Sequence, residues 1–225
     1  MYHWDWNWVW SYRGQLIAAF GVTILLNAIV LAVGTIVGTG IGLMSRVRPA
    51  VVRFLYRAYV DLFRSLPILV LLVWFFFCVP ILLGGVRISS FLSAVIVLSL
   101  NLSAFIAEIV RAGIDAVPQK NIEAGFTAGL SRPQITRFIT LPLALRIMIP
   151  PLVGQYINSI KLSVLASVIA VPELLNRTTD IISQVYRPFE FYTVLAVLFL
   201  IILLPGTLWS RRLESRMTHP RPNSR

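Results

Sequence analysis

Lys161 is the residue with the clearest chemical potential. It is the only charge between Arg146 and Glu173. Asn158 lies three residues before it, on the same face of a helix, and Ser163 follows on an adjacent face. An ionisable group inside a bilayer is costly and turns towards a bundle interior or a cavity. Two roles fit: the lining of a polar path, with the ammonium meeting a substrate carboxylate, or a structural lysine that pairs with a neighbouring helix or snorkels to the surface. Arg64, Ser65, Pro67 and Asn101 are further candidates for such a path. Asp61 with Arg64, and Glu108 with Arg111, stand at i,i+3 spacing and are expected to form structural ion pairs.

Other chemistries are excluded by what is scarce. Cys78 is the single cysteine, and His3 and His219 are the only histidines. No disulfide within the chain, zinc site or catalytic triad is expected from that inventory. A phosphate-cradling loop needs Gly-Lys followed by Ser or Thr. The two lysines, Lys120 and Lys161, follow Gln119 and Ile160. The chain is therefore expected to hydrolyse no ATP itself, to hold no cofactor and to act as no enzyme.

The elements that must carry these residues are membrane helices. The chain has 225 residues, of which 57% are hydrophobic and only 13% charged, whereas soluble domains carry about 25% charged residues. Charge-free runs separate Arg13 from Arg46, Arg64 from Arg87, Arg87 from Glu108, and Glu190 from Arg211. With the stretch holding Lys161 there are five candidate spans, each near the length of about 20 residues that a spanning helix needs. Backbone groups in hydrocarbon must bond internally, so the expected fold is an all-α integral membrane protein of five transmembrane helices. Pro67 should kink the second. Gly34, Gly38 and Gly42, four residues apart in the first, allow close helix packing.

The net charge of +11 is arranged for lipid topology and calls for no nucleic acid. Basic residues cluster at Arg46 to Arg57, at Arg111 to Arg146 and from Arg211 to the end, with Arg13, Arg87, Arg177 and Arg187 on the other side. Basic loops stay in the cytoplasm, which puts the N-terminus outside and the C-terminus inside. Residues 1–13, with Trp4, Trp6, Trp8 and Trp10, are expected to lie at the outer interface. Residues 14–210 form one transmembrane domain, and 211–225 a basic cytoplasmic tail, polar and expected to be disordered from His219.

The longest cytoplasmic connection, about residues 115–142, reads as a stiff knob. Asn121 is a candidate cap that would place Glu123 in the first turn of a short helix. Ala124 to Ala128 continue it, and Gly129 suits a left-handed residue just past its end. Ser131 caps a second helix that leads to Leu141 and Pro142.

That segment resembles a known family. Permease subunits of binding-protein-dependent ABC importers carry Glu-Ala-Ala, three residues, Gly, nine residues, then Ile-x-Leu-Pro. Here Glu123-Ala124-Gly125 is followed by Gly129 and, nine residues on, by Ile139-Thr140-Leu141-Pro142. Only Gly125 departs, and it is still small. The resemblance reaches the polar amino acid branch through Tyr59 to Pro67, Ala107 to Gly113, and Pro150-Pro151 with Asn158 and Lys161. Lys120-Asn121-Ile122 departs from the branch's usual Gly-Gln. Leu162 stands where the branch often has Asp or Asn, so arginine-like cargo is expected less than neutral or acidic cargo.

The resemblance implies a permease subunit in the bacterial inner membrane, importing a polar amino acid or close analogue by alternating access. It implies a second permease chain, identical or related, and two ATPase subunits holding ATP and Mg. It also implies an extracytoplasmic solute-binding protein. Glu123, Ala124, Gly125, Gly129, Leu141 and Pro142 would then belong to a coupling helix docked on the ATPase. The rival from another class is an ion-coupled secondary carrier or channel, with Lys161, Glu108 and Arg64 as an ion path. Five spans without an evident inverted repeat argue against it. A non-transporting scaffold that recruits cytoplasmic partners is a further alternative.

Overall fold

The computed structural model describes residues 2–47 and 49–217, with side chains through Arg212. The tail expected from His219 onward lies outside the described residues, as does Arg48 of the first basic cluster. Every regular element among the described residues is a helix: α1 (Asn7–Ser11), α2 (Arg13–Met44), α3 (Ala50–Ser65), α4 (Ile68–Leu82), α5 (Ser90–Asp115), α6 (Gln119–Thr127), α7 (Arg132–Ile135), α8 (Leu141–Leu162), α9 (Leu174–Val185) and α10 (Pro188–Met217). A π turn, Thr136–Thr140, joins α7 to α8, and a 3₁₀ segment, Ser163–Ile169, continues α8. Four helical runs are long and apolar enough to span a bilayer, and α3 with α4 makes a fifth if the bent pair counts as one.

The centre of the bundle is α2 against α5, running parallel. The glycine ladder of α2 makes this possible. A Cβ at Gly34 would stand 2.8 Å from the Leu102 side chain. At Gly38 it would stand 2.6 Å from the Ser103 carbonyl, and at Gly42 2.7 Å from Val110 Cβ. Leu26, Leu102 and Ile106 are fully or almost fully buried around this seam. Small residues at four-residue spacing let the backbones meet, and dispersion between them replaces the missing hydrophobic drive between helices in lipid.

The second span departs from a simple kink. Its apolar run does not form one helix: α3 and α4 meet at 103°. At 15 residues, α4 alone is about 22 Å long, short of the roughly 30 Å hydrocarbon core. Pro67 is the cause. Its ring pushes the preceding residue out of the helical region, and Leu66 is extended at φ −83° and ψ 136°. Pro67 also has no N–H for the carbonyl four residues back, that of Phe63. Asn101 replaces the lost donor, its Nδ2 reaching the Phe63 oxygen at 2.8 Å. α3 then descends α5 in the opposite sense. Tyr59 hydroxyl donates to the Leu100 carbonyl at 3.0 Å, and Tyr56 hydroxyl to Glu108 Oε2 at 3.0 Å.

α8 antiparallels α2. Thr35 and Tyr156 hydroxyls lie 2.9 Å apart, and Asn27 Nδ2 donates to Ser163 Oγ at 3.0 Å. Asn27 is near the middle of α2, so Ser163 and the adjacent end of α8 stand at mid-depth of the bundle. Thr23 Oγ1 accepts from the Leu174 N–H at 3.0 Å and holds the start of α9. Glu173 caps α9 through the N–H groups of Leu175 and Asn176.

The Trp-rich N-terminus is tied to the start of α10. Tyr2 hydroxyl and the Asp5 N–H both donate to the carboxylate of fully buried Glu190. Arg187 donates to the His3 carbonyl at 3.0 Å, and Trp4 stacks on Trp6. α10 carries the helix past residue 210, through Arg211 and Arg212.

Two substitutions test this architecture. Gly38→Val should force α2 from α5, with a loss of roughly 1–3 kcal/mol as for other overpacked sites, read as a lower detergent-resistance midpoint of the purified chain. Asn101→Leu should orphan the Phe63 carbonyl at a cost of about 1–3 kcal/mol. Faster amide exchange across residues 60–70 would register it, and an unchanged exchange pattern would show that the Phe63 carbonyl has another partner.

Candidate functional site: the α6 elbow and the polar residues of the bundle

α6 begins earlier than its sequence suggests. The Pro118 carbonyl accepts from the Asn121 N–H at 3.0 Å, so the helix starts at Gln119. Asn121 is thus inside the helix and not its cap, and Glu123 falls in the second turn. Pro118, with φ fixed at −59°, sets the entry, and the helix starts without a side-chain cap.

The far end follows the expected glycine turn. Gly129 has φ +76°, a conformation that side chains with a Cβ disfavour. Leu130 N–H reaches the Gly125 carbonyl at 3.0 Å and Gly129 N–H the Phe126 carbonyl at 2.9 Å, the paired bonds of a Schellman end. Ser131 opens α7, with its N–H and hydroxyl both donating to Gln134 Oε1 at 2.8 Å. Pro142 does not end the following helix. The π turn just before it widens the backbone where the proline ring would meet the carbonyl of Phe138.

The elbow has two faces. Ile122 packs on the main core, and Gly125 is buried against Ile135 and Ile139. A Cβ at Gly125 would stand 2.7 Å from Ile139 Cδ1, which gives the departure from alanine a local reason. Outward stand Glu123 and Ala124, with Phe126 49%, Phe138 62% and Leu141 50% exposed. The result is a short helix, locked at both ends, presenting one acid and several apolar groups.

Beside the elbow, at the same end of the bundle, a cavity of about 480 Å³ opens between α3 and the C-terminal ends of α2 and α5. Arg53, Arg57, Asp61 and Arg64 of α3 line it, all on one helical face. Opposite them Arg111 pairs with Glu108 and, at 3.0 Å, with Asp115, which also holds Arg46. The Glu108–Arg111 pair is therefore present. The expected Asp61–Arg64 pair is not among the ion pairs of the described residues. Arg64 instead places its guanidinium 5.3 Å from the Phe105 ring centre, an attraction that needs no acid. Arg53 and Arg57 are the cavity residues that the sequence reading used only for topology; the four-residue spacing of Arg53, Arg57 and Asp61 along one helix face was the available signal.

The remaining predicted path residues do not form one cluster. Ser65 and Pro67 lie exposed at the α3–α4 break. Asn101 is buried and committed to the Phe63 carbonyl. Ser163 is buried and engaged with Asn27 and the Ile160 carbonyl. Asn158 and Lys161 are exposed on α8 near mid-depth, and neither hydrogen-bonds or ion-pairs to any described residue.

Known proteins share this arrangement. The chain is 35% identical to the "Glutamine transport system permease protein GlnP" of Escherichia coli (strain K12), over 95% of this chain and 97% of that one. It is 27% identical to the "Glutamate/aspartate import permease protein GltJ" of the same strain, over 93% and 96%. The solved structure titled "Crystal structure of an amino acid ABC transporter with histidines" superposes with a TM-score of 0.87 at 27% identity. It covers 96% of this chain and 100% of that one. The profile of the family described as "Binding-protein-dependent transport system inner membrane component" matches residues 31–219. The chain is a multi-pass membrane protein and belongs to this family of transport-system components.

Proposed function

We propose that this chain is the permease subunit of an ABC importer that carries a polar amino acid or close analogue across the bacterial inner membrane. It has five spans, counting α3 with α4 as one, its N-terminus outside and its C-terminus in the cytoplasm. α6 is the coupling helix. Two ATPase subunits, which hold ATP and Mg, dock on the elbows of two permease chains, identical or related. An extracytoplasmic binding protein delivers the solute.

The elbow carries this reading. Glu123, Ala124 and Phe126 are displayed on a helix that Gly129 and the capping box at Ser131 hold rigid, and Gly125 and Ile122 seat it on the bundle. Past the Gly129 turn, the helical run that starts at Arg132 continues through Leu141 and Pro142 into α8, the helix bearing Lys161. Gly125 of α6 packs on Ile135 and Ile139 of that run, so displacement of α6 is passed to the helix that reaches the middle of the bundle. ATP binding drives alternating access only as far as it favours one state over the other. A stiff lever converts that preference into movement of α8.

Lys161 supports the second chain. Mid-depth exposure of an unpaired lysine to hydrocarbon is costly, so Asn158 and Lys161 face a path or a neighbouring permease. Arg64, Ser65 and Pro67, apart from that pair, would border the path at the α3–α4 break, where the helix is already interrupted; Asn101 and Ser163 would support it through their structural bonds. Cargo is neutral or acidic: Leu162 offers no group for a cationic side chain, and relatives are named for glutamine and for glutamate and aspartate.

Glu123→Arg alters an exposed side chain, so the amount of folded chain in the membrane should stay unchanged. In the reconstituted complex, hydrolysis stimulated by loaded binding protein should fall by roughly tenfold or more, a loss of at least about 1.4 kcal/mol of coupling. Unchanged stimulation would remove the coupling role, and transport that persists without an ATPase would indicate a secondary carrier. In competition uptake assays glutamine and glutamate should outcompete arginine, and preferred arginine uptake would overturn the cargo assignment.

A further inference from the structure

The α6 end of the bundle holds two hollows on the flanks of α3. One is the charged cavity described above. Arg46 and Arg111 are engaged there by Asp115 and Glu108. Arg53 and Arg57 have no ion-pair partner among the described residues, and Asp61 is the one acid left to face them and Arg64. The cavity is therefore positive at its α3 wall. The other hollow is an apolar groove of about 160 Å³ between α2 and α3, lined by Ile41, Met44, Val52, Leu55 and Tyr59. Tyr56 lines both.

A ligand that fills both hollows needs an anionic head and a hydrocarbon tail. Free phosphate would leave the groove empty, and an acidic peptide would set polar groups against it. The hollows lie where α2 and α5 end, beside basic residues, and basic pockets between membrane helices on the cytoplasmic side suit anionic lipid head groups. We propose that this junction binds one anionic phospholipid, its phosphate against Arg53 and Arg57 and an acyl chain along Leu55 and Ile41. Tyr56, fixed by Glu108, is the partition between head and tail. The site would secure α3, the amphipathic half of the broken span, to the leaflet at the end that carries the elbow.

Native mass spectrometry of the full chain tests this. The chain is purified in mild detergent and incubated with equal phosphatidylglycerol and phosphatidylcholine. The wild type should retain phosphatidylglycerol in preference. Arg53→Gln with Arg57→Gln should reduce that retention roughly tenfold or more, since each surface cation contributes appreciably to anionic-lipid binding. Leu55→Trp, which fills the groove and keeps every charge, should also reduce it, whereas Arg87→Gln, outside both hollows, should retain lipid like the wild type. Millimolar glycerol 3-phosphate should not displace the lipid. Equal retention of both lipids, wild-type retention by the double variant, or an equal loss in Arg87→Gln would overturn the proposal. Full displacement by glycerol 3-phosphate would make the cavity a free-phosphate site and overturn it as well. If the double variant does not fold, Arg57→Gln alone and Leu55→Trp decide: normal retention by both overturns it.

Discussion

Hydrocarbon offers no hydrogen-bond partner, and that constraint governs this molecule. Each place where a helix is broken must find its own replacement donor or acceptor. At the α3–α4 break the replacement is Asn101, which supplies the Phe63 carbonyl with what Pro67 cannot. At the turn into α9 it is Thr23 and the Glu173 carboxylate. The bundle tolerates both interruptions because each has been compensated by a named group.

The same accounting separates structural polar residues from those left for other work. Asn27 Nδ2 is taken up by Ser163, and Thr35 pairs with Tyr156, between α2 and α8. Glu190 takes up the N-terminal segment. Glu108 and Asp115 hold Arg111 and Arg46. Against that background a few polar groups have no such employment in the single chain. Among them are Glu123 on the elbow, Lys161 and Asn158 on α8, and Arg53, Arg57 and Asp61 in the cavity. In the function and lipid site proposed above, these are the groups that meet an ATPase, a path or second chain, and a lipid.

Much of the fold was legible. Charge-free runs located the apolar helices because charges are expelled from hydrocarbon over a fixed thickness. The glycine ladder of α2 was readable as a contact surface because its spacing is a local property of the helix. Gly129 was readable as a left-handed turn for the same kind of reason. The sequence reading failed where neighbours decide. The Pro67 kink proved to be a 103° break because Asn101 of another helix makes that break affordable. Asp61 and Arg64 have pairing distance along the chain, yet Phe105 of α5 takes the guanidinium. α6 starts at Gln119, just after Pro118, whose fixed φ sets the entry. α9 went unrecognised, although Leu174, Thr178 and Ile181 carry its buried face at helical spacing.

The sequence by itself determined the solvent of each segment and the stiffness of the elbow, because hydrophobicity, glycine and proline act within a few residues. Only the tertiary structure decided which polar groups are engaged and which are bare. A hydrogen bond between Asn101 and Phe63, or between Asn27 and Ser163, joins residues far apart in the chain. Such partners meet only after helix packing has set the distance between backbones.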